Sequence, residues 1–333
     1  MRFFFTLLVI LIAPWGCAPG QPDPVSMPAQ PNPSPAMKPS FQPTATCAMA
    51  IDDQTLFVAD QAGNLAVKEL NGGNLKYLKL DVDAPTLLTH PSGLYAAGRW
   101  SGTVAFLPKG AEIPGYFKFP EGRIQGIAAE GNEIWVVFSE KSPTQTSTKG
   151  KDIVSLSPSA LFRLDRSTLT VEKTGISFPG EVEQCLPFGE NWLVKLKGQP
   201  NKLHLIPRKG GKISLLRTSG DIHLFTQIQG GQVYCATSSG IFSLDNKKVS
   251  LQLQKMLGPN PQELRTLGLI NVQDTCWIAT SEGVWKRSAN LPDTLITNTQ
   301  PVKCLQKGND IWILEQGKGV YRPGPEPEWL LEF

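Results

Sequence analysis

Three histidines, His90, His204 and His223, are all the imidazoles in the chain. None forms His-x-x-His or His-Glu-x-x-His, the spacings that bring two imidazoles to one zinc ion. Carboxylates stand singly at predicted turns, as Asp52, Asp53, Asp60, Glu282 and Asp310. A lone turn carboxylate caps backbone amides or faces water, whereas glycoside hydrolysis needs two across a cleft. No Gly-x-Ser-x-Gly elbow, phosphate loop, dinucleotide fingerprint or calcium-loop spacing is present. The six cysteines include no Cys-x-x-Cys pair and no zinc quartet. These residues imply no cofactor, no metal and no catalytic residue, unless the fold gathers the three histidines into one site.

Composition narrows the classes further. The 333 residues carry 32 Lys+Arg and 29 Asp+Glu, a net of +3, with 18% charged and 41% hydrophobic residues. That balance excludes a polybasic nucleic-acid binder and a charged disordered chain. The length fits one large domain or two ordinary ones.

The N-terminus reads as an address. Arg2 precedes an apolar run from Phe3 to Ala13, too short to cross a bilayer but suited to an export signal. Gly16-Cys17 follows. Residues 1–17 thereby resemble a bacterial lipoprotein signal, in which the Cys thiol is acylated before cleavage. Pro14-Trp15 departs from the aliphatic-then-small pattern of that family. The resemblance implies a membrane anchor through Cys17 and, from Ala18, the outer membrane of the bacterial envelope. Secretion without acylation is the alternative. Residues 18–46 hold nine of the 28 prolines. Such a segment lacks the apolar surface to fold and is expected to act as a tether, reaching about 80 Å at roughly 3 Å per residue.

From residue 47 onward a unit repeats: an apolar strand, a turn with glycine, and a second apolar strand. Seven copies begin near residues 55, 94, 134, 192, 233, 276 and 311. A period near 40 residues with four strands per unit predicts an all-β, seven-bladed β-propeller over 47–333, with four-stranded antiparallel blades. The first unit reads as strands over 47–52, 55–60, 64–70 and 75–81. The last reads as 302–306, 311–315, 319–323 and 329–333. The ring is expected to close by packing blade 7 on blade 1, with a strand swap at 41–46 as the rival. Trp135, Trp192, Trp277, Trp312 and Trp285 fall at strand positions that suit inter-blade core. Trp100, in the turn Arg-Trp-Ser-Gly, is the one placed for exposure.

Ala-Thr-Ser-Glu-Gly-Val-Trp (279–285), Ala-Thr-Ser-Ser-Gly-Ile-Phe (236–242) and the repeat at 311–323 resemble the propeller repeats of bacterial two-component sensor ectodomains. The Gly-His and Trp-Asp signature of WD40 blades is absent. The resemblance implies the fold far more than an activity.

Two further expectations depend on the ring. Cys47 and Cys304 lie in the first and last blades, where a disulfide could staple the seam; buried free thiols are the alternative. The b–c and d–a connections of a propeller share one face. On that face fall Arg99, Trp100, Lys195, Lys197, Glu282, Glu315 and Gln316, with the long polar insertion at 140–158. Arg99-Trp100 is the preferred contact pair, joining a multidentate donor to an amphipathic ring. The expected role is a binding or scaffold module for an envelope protein, peptide or glycan, with no nucleic-acid partner. A polysaccharide hydrolase or lyase, or a structural part of an envelope assembly, are the competing readings.

Overall fold

The turns that end strand b show why the repeats are visible in the sequence. Thr237 and Thr280 are buried at the end of strand b, and their hydroxyls donate to the carbonyls of Gly240 and Gly283 at 2.9 and 3.1 Å. The Thr-x-x-Gly pattern is therefore a closed turn. Glycine is required where strand c begins: at Gly319 (φ +139°) a Cβ would lie 1.9 Å from the Leu331 carbonyl oxygen.

The computed structural model describes residues 40–141, 145–146, 152–153, 158–227, 232–245, 250–255, 266–272, 275–280, 283–288, 294–297, 301–307, 310–324 and 326–333. Seven four-stranded antiparallel sheets follow one another along them. In order a to d, blade 1 is Thr46–Ile51, Thr55–Asp60, Asn64–Glu69 and Leu75–Lys79. Blade 2 is Thr86–His90, Gly93–Ala97, Thr103–Pro108 and Gly115–Lys118. Blade 3 is Gly122–Glu130, Glu133–Glu140, Ala160–Asp165 and Thr170–Ser177. Blade 4 is Val182–Phe188, Asn191–Leu196, Lys202–Pro207 and Ser214–Arg217. Blade 5 is Ile222–Gln227, Val233–Thr237, Gly240–Asp245 and Ser250–Lys255. Blade 6 is Thr266–Val272, Thr275–Thr280, Gly283–Ser288 and Thr294–Thr297. Blade 7 is Pro301–Lys307, Asp310–Glu315, Gly319–Arg322 and Glu328–Glu332. Each strand a touches the next, and that of blade 7 lies against that of blade 1, so the ring closes. The expected seven-bladed propeller is the observed fold.

The core is radial. Its clusters fill the seams between blades, such as Leu88, Tyr95 and Phe106 against Ile127, Val136 and Phe138 between blades 2 and 3. The strand tryptophans belong here: Trp192 and Trp312 are buried, and Trp135, Trp277 and Trp285 pack half-buried against seam clusters. Polar side chains bolt the inner ring. Gln184 donates to the Phe225 carbonyl and accepts from the Phe225 amide at 3.0 Å, joining blade 4 to blade 5. Gln125, Ser139 and Ser159 bond to one another at the root of the long insertion, and Gln125 and Ser159 accept from the Val182 amide of blade 4. Within the insertion, Gln145–Thr146 pairs with Asp152–Ile153.

No strand is swapped at the closing seam; all four strands of blade 7 are consecutive. Of the rival region 41–46, Thr46 opens strand a of blade 1, and the residues before it, 40–45, serve as a strap instead. Asn64 donates to the Ser40 carbonyl (3.1 Å), and the Gln42 amide to Asp60 (3.0 Å). Gly317 of blade 7 donates to the Pro43 carbonyl (3.0 Å), and the Gln61 amide of blade 1 to Ala45 (2.9 Å). Phe41 packs against Tyr77 and Phe333 at 5.6 and 5.0 Å between ring centroids.

The disulfide considered for this seam does not form: Cys47, Cys185, Cys235 and Cys304 are all free thiols. The reason is register. Six blades carry a β-bulge in the pairing of strands a and b, and Cys47 sits in that of blade 1, packing toward blade 2. Cys304 lies past the bulge of blade 7, in register with Cys185, and packs toward blade 6. The two thiols occupy different seams.

Lys303 is the unexpected resident of the closing seam. It is buried at 6% exposure, beside the Cys47 thiol. Burial pulls its ammonium down from 10.5 to about 8, against the opposing effect of Cys47. Burial also pushes the Cys47, Cys235 and Cys304 thiols up to about 12. A lysine whose folded value is depressed binds its proton more weakly than the unfolded chain does, so its cost is full below about 8 and fades toward 10.5. Lys303→Met should therefore raise stability to urea at pH 7 by about 3 kcal/mol. That advantage should shrink as pH rises to 10. The thiols act in the opposite sense in both proteins, so the difference isolates Lys303. An equal gain at pH 7 and pH 10 would exclude Lys303 as its source.

Candidate functional site

The d–a and b–c connections are bonded to each other along part of the rim. The amide just beyond strand b donates to a carbonyl in the d–a connection of the same blade: Arg99 to Asp83 (3.0 Å), Lys141 to Glu121 (2.9 Å) and Lys197 to Glu181 (2.8 Å). Blades 2, 3 and 4 thus set a basic side chain beside an acidic one by backbone construction. The side chains use this for two of the pairs, Lys141–Glu121 at 2.6 Å and Lys197–Glu181 at 2.9 Å.

In blade 2 the Asp83 carboxylate turns instead to the backbone, accepting from the Trp100 amide at 3.2 Å and the Ser101 amide at 2.7 Å. This fixes the turn that carries Trp100. The indole is 51% exposed, while the other cation-facing tryptophans, such as Trp192 under Arg208 at 5.0 Å, are seam residues. Two guanidiniums lie against the Trp100 ring. Arg123, from the start of strand a in blade 3, is 4.5 Å from its centroid, and Arg99 is 5.4 Å. Arg123 pairs with Glu181 of the next connection at 3.0 Å, so one carboxylate serves both Arg123 and Lys197. Burial pulls Arg99 down to about 10, and repulsion from Arg123 adds to it, against Glu181 and Asp83. Burial lowers Arg123 as well, against Glu181. Three blades thereby present an exposed aromatic ring within a partly desolvated cationic frame.

The residues singled out from sequence divide into several groups. Arg99, Trp100 and Lys197 come together in this cluster. Lys195 turns away: it pairs with Glu183 at 2.8 Å and lies beside Cys235 of blade 5. Glu315 is buried and paired with Lys318, and Gln316 donates to the Thr44 carbonyl, so this turn of blade 7 holds the strap. Glu282 and most of 140–158 lie outside the described residues. Arg123, Asp83 and Glu181 were not anticipated. Asp83 and Glu181 stand in d–a connections, which share the face with the b–c turns, and Arg123 opens the strand that follows one.

His90 and His204 have separate surroundings. His90 bonds Ser92 and the Gly131 carbonyl, and His204 bonds Gln199. Among the described residues no group of three His, Cys, Asp or Glu side chains is placed to hold a metal. Of the turn carboxylates, Asp52 accepts from the Gln54 and Thr55 amides and Asp60 from the Asn64 amide, whereas Asp310 pairs with Arg322 at 3.1 Å.

The chain matches no protein-family model and no curated protein sequence. Its fold is similar to that of solved structures. The extracellular domain of the hybrid two-component system BT3049 from B. thetaiotaomicron superposes with a TM-score of 0.61 at 13% identity, covering 85% of this chain. This chain spans 40% of that one. Hsv2 from Kluyveromyces lactis gives 0.59 at 8% identity, over 84% of this chain and 92% of that one. BamB from Moraxella catarrhalis gives 0.51 at 10%, over 84% and 82%. At these identities the likeness is one of fold.

The shared carboxylate makes a prediction. Glu181 and Arg123 are 21% and 14% exposed, whereas Lys197 is 59% exposed. Glu181→Gln leaves two cations beside each other and should cost about 1–3 kcal/mol in urea denaturation. Lys197→Gln should cost under about 0.5 kcal/mol. Equal losses would mean that Glu181 is not the hub of the cluster.

Proposed function

We propose that the protein is an exported, lipid-anchored binding module of a bacterial envelope. Residues 1–17 act as a lipoprotein-type signal with Cys17 as the acylated residue, and the proline-rich segment from 18 up to the strap at 40–45 acts as the tether, shorter at its C-terminal end than the 18–46 expected because Thr46 already opens strand a of blade 1. The propeller presents its d–a and b–c face to an envelope protein, peptide or glycan. The observation that carries the binding role is Trp100: an exposed indole held on a braced turn and framed by Arg99 and Arg123. Large exposed aromatics and arginines are the residues that anchor interfaces. Export is supported by the apolar run before Cys17 and agrees with the extracellular setting of the BT3049 domain.

A photo-crosslinking residue at position 101, exposed beside an intact Trp100, tests the contact face. It should capture a partner in cells, while the same residue at position 113 should not. Ile113 is 83% exposed in the c–d turn of blade 2, on the opposite face, and serves as the control. Crosslinks confined to position 113 would overturn the assignment of the face. For the anchor, wild type should sediment with membranes and carry acyl mass, and Cys17→Ser should lose both. An unacylated wild type, with Cys17→Ser equally membrane-bound, would remove the lipid anchor from the proposal.

A further inference from the structure

We propose that the outer strand of blade 4 is a docking edge for an extended acidic segment of a partner protein, which adds to the blade as a fifth strand. Its carboxylates meet Lys212 and Arg217, and its apolar side chains cover Ile213 and Leu215. This edge shares no residue with the Trp100 turn and does not depend on it.

The charge along this blade is of one sign. From Asn191 to Gly220 there are seven Lys and Arg residues and no Asp or Glu. Four of the seven find carboxylates outside that stretch: Lys195 with Glu183, Lys197 with Glu181, Arg208 with Glu130 and Lys209 with Glu190. Lys202, Lys212 and Arg217 have no ion pair among the described residues. Lys202 and Arg217 also stand directly opposite each other across strands c and d. Like charges so placed destabilise a sheet, and an anion beside them offsets the repulsion. Between Lys212 and Arg217, both exposed, Ile213 and Leu215 are 39% and 42% exposed. Leu215 is two residues from Arg217 and shares its side of the sheet, while Leu216 packs against the seam cluster on the other.

The edge itself is open and regular. Strand d of blade 4 pairs with strand c from Lys202–Arg217 to Leu205–Ser214 without a bulge. The outer strands of blades 3, 5, 6 and 7 each carry a register shift against strand c, an irregularity that turns an edge away from further pairing. Blades 1 and 2 are regular but covered: Phe41 packs on Tyr77 of blade 1, and Leu169 of blade 3 lies over Gly115 of blade 2. Blade 4 thus keeps a straight row of backbone amides and carbonyls along its outer side. Its cations repel a basic strand, a second copy of the same edge included, and attract an acidic one. A lipid surface or an anionic polysaccharide can meet the charge but has no matching ladder of amides and carbonyls. An extended polypeptide meets both.

The test uses the full chain and fluorescein-labelled peptides carrying Glu-Thr-Val-Thr-Val-Glu, in both sequence directions, between Gly-Ser flanks. That spacing sets the carboxylates opposite Lys212 and Arg217 and the valines opposite Ile213 and Leu215. Fluorescence anisotropy should show one direction binding at least about tenfold more tightly than its Lys-for-Glu counterpart, with affinity falling as salt rises. Methylating the peptide nitrogens in one of the two alternate sets keeps the charge but removes the ladder, and should weaken binding about tenfold. Arg217→Glu and Leu215→Ser, both at exposed positions, should each weaken it by a similar factor while the melting temperature stays near wild type. Lys212→Glu/Arg217→Glu should turn the preference toward the Lys peptide. Equal binding of acidic and basic peptides, no binding of either, or binding unmoved by methylation of either set would overturn the strand-addition proposal. Tighter, Arg217-sensitive binding of phosphatidylglycerol vesicles or polygalacturonate would overturn it too. So would self-association in sedimentation velocity that Arg217→Glu abolishes, since a second copy would then be the occupant. All these outcomes are separate from crosslinking beside Trp100, which tests the other surface.

Discussion

A ring of blades has no centre to bury, so its stability depends on every seam being packed together. Each sheet is apolar on both faces because each face is a partner's core. The cost of one bad seam is shared by the whole ring, since the blades on either side lose a face of burial. This explains why the inner strands are mostly apolar and buried, while charge collects at the turns and on the outer strands d, such as Leu75–Lys79 and Thr170–Ser177. It also explains the polar bolts. Gln125 and Gln184 reach from one inner strand to the backbone of the next, where a buried amide or carbonyl would otherwise lack a partner.

The same constraint produces the candidate site. With the sheets committed to packing, the connections are the segments free to vary, and those on one face are bonded across their ends. The amide-to-carbonyl links of Arg99 with Asp83 and Lys197 with Glu181 bring side chains from separate segments together without any packing of their own. Blade 2 departs from its neighbours because Asp83 caps its turn rather than pairing in full with a base. That local departure leaves an exposed indole with two arginines beside it.

The repeat was legible in the sequence because its turns obey steric rules. Thr-x-x-Gly closes through a hydroxyl, and glycine stands where a Cβ would strike the neighbouring strand, as at Gly319. Trp100 was legible because it interrupts a turn. Arg123 and Glu181 were not, since Arg123 opens strand a of blade 3 and reaches Trp100 only through the packing of blades 2 and 3, and Glu181, before strand a of blade 4, joins through Arg123. The cysteines show a subtler limit. A bulge adds one residue to strand a, so Cys47 and Cys304, similar by spacing, point into different seams. Lys303 gave no signal either; in sequence it is an ordinary lysine in an alternating strand.

The strap at 40–45 has a mechanical meaning. It is bonded alternately to blade 1, through Asp60 and Asn64, and to blade 7, through Gly317, before the chain enters strand a at Thr46. A pull applied at Ser40 meets these bonds in succession rather than all at once, as in unzipping. Blade 1 keeps its pairing until the strap has peeled away, and the first structure to yield is the clasp over the seam. The molecule thus places its most expendable contacts between an external load and the ring.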